Sequence, residues 1–267
     1  MPFVEVEKPR PHVSLIRLNR PERMNAMSFE TVGPLYDAIR EVGADNDTWV
    51  AVLTGTGRGF CAGLDLESAG VPPGVEGLPM SRIATRAMAY MSDLVPTMRG
   101  IPQPIIAAIN GPAFGGGLGL SLGADIRIAG RSARFCGAGI NNGLTGTELG
   151  ISFLLPRLIG AARASDVILS GRVVDAEEAE RMGLVSRVVE DDALLDTALE
   201  LAEQICGYSP HGVAMTKQVL WSNLEIGSLQ AAIDLENRNQ LLVRMTTENL
   251  DEAIRARREG RKPRYRD

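Results

Sequence analysis

The chain has 267 residues, of which 45% are hydrophobic and 23% are charged, so the composition predicts a globular protein of one large or two small domains. A formal net charge of −5 argues against nucleic acid as the main partner. The 3 cysteines stand far apart in the sequence, which indicates neither a disulfide framework nor a metal site.

The sequence predicts neither a signal peptide nor a membrane span. The first residues carry charges and lack an apolar core segment, so we expect no signal peptide and a cytoplasmic protein. The most apolar stretch, at 105–124, is interrupted by glycine and proline, and we therefore expect no membrane span.

The N-terminal part of the chain predicts two short strands and a helix. The strands are expected at Phe3–Val6 and Val13–Leu18, where apolar residues recur. Ser28 is a favourable N-cap for a helix over Phe29–Val42, and Glu30 lies in the first turn of that helix.

A first glycine-rich segment follows, with the sequence WVAVLTGTGRGFCAGLDL. It predicts a buried strand at Val50–Leu53, a turn at Gly55–Gly59 and the start of another helix at Ala62–Leu66. Beyond it, Ser68–Pro79 is rich in glycine and proline and predicts a mobile loop, before a long helix over Ser81–Met98.

The second glycine-rich segment, IIAAINGPAFGGGLGLSLGADIR, predicts a strand at Ile105–Ile109, a turn through Gly115–Gly117 and then a helix. Such a turn aims free backbone N–H groups at an anion, or at an oxygen that becomes negative during a reaction. No Gly-Lys-Ser/Thr follows, and the glycines are misplaced for a dinucleotide site, so a P-loop and a nicotinamide dehydrogenase are disfavoured. Close packing of the helix on a neighbour is the alternative role for these glycines.

The rest of the chain alternates briefly between strands and helices and then becomes mostly helical, which favours an α/β architecture. Strands are expected at Ile126–Ala129, Ala133–Cys136 and Val185–Val189, and helices at Ser152–Ile159, Ala161–Leu169, Ala176–Met182, Leu194–Cys206, Pro210–Ile226, Ser228–Met245 and Thr247–Arg258.

Two glycine turns that each offer backbone donors can form an oxyanion hole. The segments FCAGLDL and NGPAFGGG, together with LNRPERMNA near the N-terminus, resemble those of the crotonase (enoyl-CoA hydratase/isomerase) superfamily. The resemblance covers nearly the whole chain. It implies a spiral of ββα units over residues 1–195, with the acyl-CoA site, and a C-terminal helical region over 196–267 that builds homotrimers or homohexamers.

The resemblance also implies an acyl-CoA substrate, with coenzyme A as part of the substrate and no prosthetic group. The N–H groups of Leu64 and Gly116 would bind the thioester oxygen and stabilise an enolate.

Coenzyme A contacts are implied for Arg23, for the backbone of Met24 and for the carbonyl of Ala62. Lys262 would reach coenzyme A from the adjacent subunit. A solvated turn charge is the alternative for Arg23, and a solvated tail is the alternative for Lys262.

The chain departs from the family pattern at the acids. Classical hydratases carry two glutamates that manage the added water, but the matching positions here are Gly119 and Gly139. Glu148, before the segment FLLPRL, aligns with an acid of several family isomerases; a carboxylate that merely favours a helix start is the alternative.

Water addition needs both an acid and a base, so the sequence favours isomerase-type proton transfer over classical hydration. The sequence therefore predicts an enzyme of acyl-CoA metabolism, in fatty-acid or related pathways. A non-catalytic acyl-CoA-binding protein of the same fold is the alternative function.

Overall fold

The apolar runs of the sequence pair into two sheets in a computed structural model, which describes residues 2–265. The strands are β1 Val4–Arg10, β2 Val13–Leu18, β3 Val50–Gly55, β4 Ile105–Ile109, β5 Pro112–Phe114, β6 Ile126–Gly130, β7 Arg134–Cys136, β8 Val174–Asp175 and β9 Arg187–Val189. The helices are α1 Phe29–Ala44, α2 Met80–Ser92, α3 Leu94–Gly100, α4 Gly116–Gly123, α5 Ile151–Ile159, α6 Ala161–Ser170, α7 Ala176–Met182, α8 Leu194–Cys206, α9 Pro210–Asn223, α10 Leu229–Thr246 and α11 Asn249–Glu259.

The large sheet has six strands in the order β1-β2-β3-β4-β6-β9, and only the β1–β2 pair is antiparallel. Every residue of β3 and β4 is buried, as expected for parallel strands that are covered on both faces. One face packs on α8, and the other joins the larger core that includes α1, α3 and α4. The expected α/β architecture is therefore confirmed.

The small sheet arises where the chain turns sharply after β4. Its order is β5-β7-β8. Pro112 is the first residue of β5, a position where a strand tolerates proline because no ladder hydrogen bond is needed there. The chain thus leaves the large sheet at Ile109, enters the small sheet and reaches α4 within a few residues, which delivers the second glycine turn to the junction of the two sheets.

Two predicted helices are wrong in detail. No helix forms at Ala62–Leu66, because Gly63 has a φ of +91° and the Asp65 carboxylate accepts the backbone N–H groups of Glu67 and Ser68. The next helix begins only at Met80.

The long helix expected over Ser81–Met98 is divided into α2 and α3. Pro96 explains the break, since it lacks the N–H that would bond the carbonyl of Ser92, the last residue of α2.

The C-terminal helices attach to the core through a buried charge network. Lys217 of α9, only 5% exposed, donates to the carbonyls of Met98 (3.1 Å) and Gln103 (2.8 Å) and pairs with Asp125 at 3.0 Å. Trp221 donates to the same aspartate at 2.6 Å. By contrast, α10 and α11 expose apolar side chains, among them Leu229, Leu241, Met245, Leu250 and Ile254. The division at residue 195 and the trimer remain predictions.

Within residues 2–265, no helix has both the length and the apolar character that crossing a membrane requires.

Candidate active site

Leu64 lies in a short extended segment whose hydrogen bonding leaves its own N–H free. The segment forms a parallel bridge with Met27: Met27 donates to the carbonyl of Gly63 (2.7 Å), and Asp65 donates to the carbonyl of Met27 (2.7 Å). Because the flanking residues make both bonds, the Leu64 N–H points to the other side of the strand. It donates to no group among residues 2–265.

The second donor stands at the start of α4. Gly115 donates to the carbonyl of Cys136 at 2.8 Å and takes a φ of +52°, a conformation that favours glycine. Gly116 is the first helical residue, so its N–H is one of those that a helix leaves without an internal partner. No acceptor for it is present in the described part of the chain, and the helix dipole adds positive potential at this point.

The two segments are in contact. A Cβ atom placed on Gly63 would lie 3.2 Å from the Gly116 nitrogen and 2.7 Å from the Phe114 carbonyl oxygen. At Gly117 a Cβ atom would overlap the carbonyl of Cys61. Both roles considered for the glycines are therefore present: Gly117 permits close packing, while Gly116 presents a free donor beside Leu64.

The carboxylate of Glu148 lies beside Gly115 and Gly116. Its Oε1 lies 2.8 Å from where a Cβ atom of Gly115 would stand, and its Oε2 lies 3.9 Å from the corresponding point on Gly116. The side chain is half-buried and accepts no hydrogen bond from any residue in 2–265. Burial raises the pKa of Glu148 above its ordinary value of 4.5. The carboxylate does not cap α5, whose N-cap is Gly150.

The chain matches the family model described as enoyl-CoA hydratase/isomerase over residues 10–267. It belongs to the enoyl-CoA hydratase/isomerase family. The expected crotonase resemblance is thereby confirmed, and the chain is an enzyme of the hydratase/isomerase type.

Relatives of the chain carry the names of both activities. It is 52% identical over 265 residues to the probable enoyl-CoA hydratase EchA12 of Mycobacterium tuberculosis, covering 99% of this chain and 93% of the relative. It is 37% identical over 230 residues to the 1,2-epoxyphenylacetyl-CoA isomerase of Escherichia coli, covering 86% of each.

Similar solved structures likewise carry both the hydratase and the isomerase name. A probable enoyl-CoA hydratase/isomerase from Mycobacterium abscessus superposes with a TM-score of 0.95 at 48% identity, covering 99% of this chain and 98% of that one. A monofunctional enoyl CoA isomerase from M. smegmatis gives a TM-score of 0.75 at 44% identity, covering 87% of this chain and 99% of the other.

Two asparagines, one of them fully buried, hold the donor segments together, a role that sequence reasoning missed. Asn25, fully buried, donates to the carbonyls of Thr56 (2.9 Å) and Gly59 (2.7 Å). Asn110 accepts the N–H of Gly55 at 3.1 Å and donates to the Gly59 carbonyl at 3.3 Å. Their place in the motifs LNRPERMNA and NGPAFGGG was the available signal.

The two positions that the family resemblance matched to hydratase glutamates are closed in this chain. A Cβ atom on Gly119 would lie 2.6 Å from the Cβ atom of Leu149, and one on Gly139 would overlap the carbonyl of Thr145. Leu149 is only 3% exposed. Neither position can hold a longer side chain unless its neighbours move.

The residues expected at coenzyme A are only partly brought together. The carbonyl of Met24 accepts the N–H of Ala62 at 3.0 Å, so these two residues lie side by side. Arg23 is paired with Glu67 at the surface. Lys262 is exposed and, among the described residues of this single chain, makes no side-chain hydrogen bond or ion pair to the site.

Asp65 and Cys61 serve the framework of the site. Burial would raise the pKa of Asp65, but the N–H groups of Ser68 and Glu67 and the guanidinium of Arg20, 2.8 Å away, hold it below its usual value. Burial raises the pKa of Cys61 to about 12, so its thiol is not ionised near neutral pH. Across residues 2–265, no cluster of His, Cys, Asp and Glu is arranged to hold a metal ion.

Proposed function

We propose that this enzyme moves a proton between carbon atoms of an acyl-CoA thioester, in fatty-acid or related acyl-CoA metabolism. The N–H groups of Leu64 and Gly116 bind the thioester oxygen, and Glu148 removes a proton from a neighbouring carbon. The enolate that forms is stabilised by the two donors, each worth about 2.7–4 kcal/mol of barrier in comparable sites. Glu148 then returns the proton to a different carbon.

The observation that carries the proposal is the unpaired Glu148 carboxylate above Gly115 and Gly116, with the two hydratase positions closed. One base suffices for isomerisation, because the same group removes and returns the proton. Hydration needs a second group to handle water, and side chains at 119 and 139 are excluded by Leu149 and Thr145. The names of the relatives divide between hydratase and isomerase, so the choice between the reactions rests on this geometry.

The coenzyme A part of the substrate extends from the hole past Ala62 and Met24. Arg23 exchanges its contact with Glu67 for a phosphate of coenzyme A, and Lys262 adds a basic contact from an adjacent subunit. The mechanism requires no prosthetic group or metal. A homotrimer, alone or paired as a hexamer, buries the apolar side chains that α10 and α11 expose, and the enzyme is cytoplasmic.

The test measures isomerisation of a 3-enoyl-CoA by the rise in conjugated enoyl absorbance, and deuterium incorporation into a bound acyl-CoA in heavy water. Glu148→Gln keeps the size of the side chain but cannot accept the proton, so both rates should fall about a hundredfold or more. Affinity for the acyl-CoA should stay nearly unchanged.

Glu41→Gln is the matched control, because Glu41 is exposed on α1 and forms no ion pair among residues 2–265. It should behave as wild type. Hydration of crotonyl-CoA by wild type at a rate above isomerisation would contradict the proposal. Binding of acyl-CoA without either reaction would instead favour a non-catalytic acyl-CoA-binding protein.

A further inference from the structure

Leu149 adopts a backbone conformation that is unusual for its residue type. Its φ is +45°, in the left-handed region that leucine rarely occupies, and it is only 3% exposed. Gly150 follows at a φ of +81°, and α5 begins at Ile151. Strained positions of this kind persist where the surrounding structure determines them, and they concentrate at functional sites.

The Leu149 side chain packs against Gly119 of α4. Gly119 of α4 leaves room for the Leu149 side chain: a Cβ atom there would lie 2.6 Å from the Leu149 Cβ, 3.4 Å from its carbonyl oxygen and 3.6 Å from the carbonyl oxygen of Glu148. Gly119 therefore touches both residues of the segment that bears the base. It also lies three residues after Gly116, on the same face of α4 as that donor.

The Glu148 carboxylate packs beside Gly115 and Gly116. It accepts no hydrogen bond from residues 2–265, so its placement relies on this packing and on the backbone of residues 148 and 149. That backbone is fixed by the N–H of Ile151, which donates to the Glu148 carbonyl at 2.9 Å, and by the contact with Gly119.

We propose that Leu149 is a positioning residue: packed into the space left by Gly119, it holds the Glu148 carboxylate at a set distance from the Gly116 donor. The inference rests on the proposed function of Glu148. Gly119 then has a role of its own, because it leaves the space into which Leu149 packs. Helix α4, which carries the Gly116 donor, thereby also determines the position of Glu148.

The test compares Leu149→Gly, Gly119→Ala and the double variant by kcat for isomerisation and by affinity for a saturated acyl-CoA. Glycine at position 149 tolerates the positive φ but leaves the space beside Gly119 empty. The methyl group that Gly119→Ala adds displaces the Leu149 side chain from that space. Each single change should lower kcat by about tenfold to a hundredfold, the cost of a base misplaced by about 1 Å, with little change in affinity. Combined with Gly119→Ala, Leu149→Gly removes the clash, so the double variant should be faster than Gly119→Ala alone.

Ile39→Ala provides the control for a merely structural role. Ile39 is 1% exposed on α1, a helix that packs mainly on β1, α2 and α3, so its loss should lower the melting temperature and leave kcat of the folded protein unchanged. Should Gly119→Ala fail to fold, the comparison of Leu149→Gly with Ile39→Ala still tests the proposal.

Wild-type kcat in Leu149→Gly, while Glu148→Gln is inactive, would overturn the positioning role and leave the proposed function standing. Wild-type exchange in Glu148→Gln would overturn both.

Discussion

The two sides of the site are built in different ways. The proposed oxyanion donors, Leu64 and Gly116, belong to the backbone at the junction of two sheets, and their segments are tied by parallel bridges and by the side chains of Asn25 and Asn110. The proposed base, Glu148, is a side chain on the loop 137–150, whose hydrogen bonds are mostly short-range turns and which exposes Leu144 by 60%.

Under the proposed function, this difference separates the groups that stabilise the enolate from the group that moves the proton. Donors that are already in place cost no reorganisation when charge develops on the thioester oxygen. Because Glu148 lies on a loop, its position can vary without disturbing the bridge that holds Leu64. The position of the proposed base is therefore where this chain can differ from a hydratase.

The largest effect is expected for Gly116→Pro, which tests whether the Gly116 N–H is an oxyanion donor. Proline suits the first position of a helix but has no N–H, so the fold should survive while isomerisation falls by about a hundredfold to a thousandfold. Gly116→Ala is the matched variant, because it keeps the N–H and adds only a methyl group next to the flexible end of Met27, 3.0 Å away. Steady-state rates and melting curves check both. Equal activity of the two variants would show that Gly116 is not a donor.

A matched pair of asparagine variants compares the rigidity of the two regions directly. Asn25→Ala removes the amide donor to the Thr56 carbonyl and one of the two donors to the buried Gly59 carbonyl, and places alanine at a φ of +57°. It should lower the free energy of unfolding by about 1–3 kcal/mol. Asn142→Ala removes one exposed bond to the Ala138 carbonyl and should change it by less than about 0.5 kcal/mol. Urea unfolding measures both, and equal losses would contradict the contrast.

The smallest expected effect concerns pH. Burial raises the folded pKa of Glu148, so the unfolded chain loses this proton at a lower pH than the folded protein. Ionisation of Glu148 therefore favours unfolding: its contribution to stability is complete below the ordinary value of 4.5 and is lost as the pH rises through the folded pKa.

Glu148→Gln should accordingly melt at a higher temperature than wild type at pH 8, and the difference should disappear near pH 4. Melting curves across that range provide the measurement. A variant less stable than wild type at pH 8 would show that the carboxylate has a favourable partner.

The sequence by itself determined most elements and the two donor turns. Apolar runs such as Ile105–Ile109 predicted strands because their periodicity and length leave few alternatives, and Ser28 marked a helix start that the structure has. The glycine segments indicated a site for a developing negative charge, since free N–H groups at a turn follow from local geometry. The family resemblance singled out Glu148, whose carboxylate the structure places beside Gly115 and Gly116.

Tertiary structure decided what depends on residues far apart in the chain. The sequence predicted a helix at Ala62–Leu66, but a bridge to Met27 holds Leu64 extended and turns its N–H away from Met27. The positive φ of Leu149 has no signature in the sequence, and its contact with Gly119 joins residues that are far apart in the chain. Closure of positions 119 and 139 likewise became visible only in three dimensions, since a missing side chain does not say what fills its place.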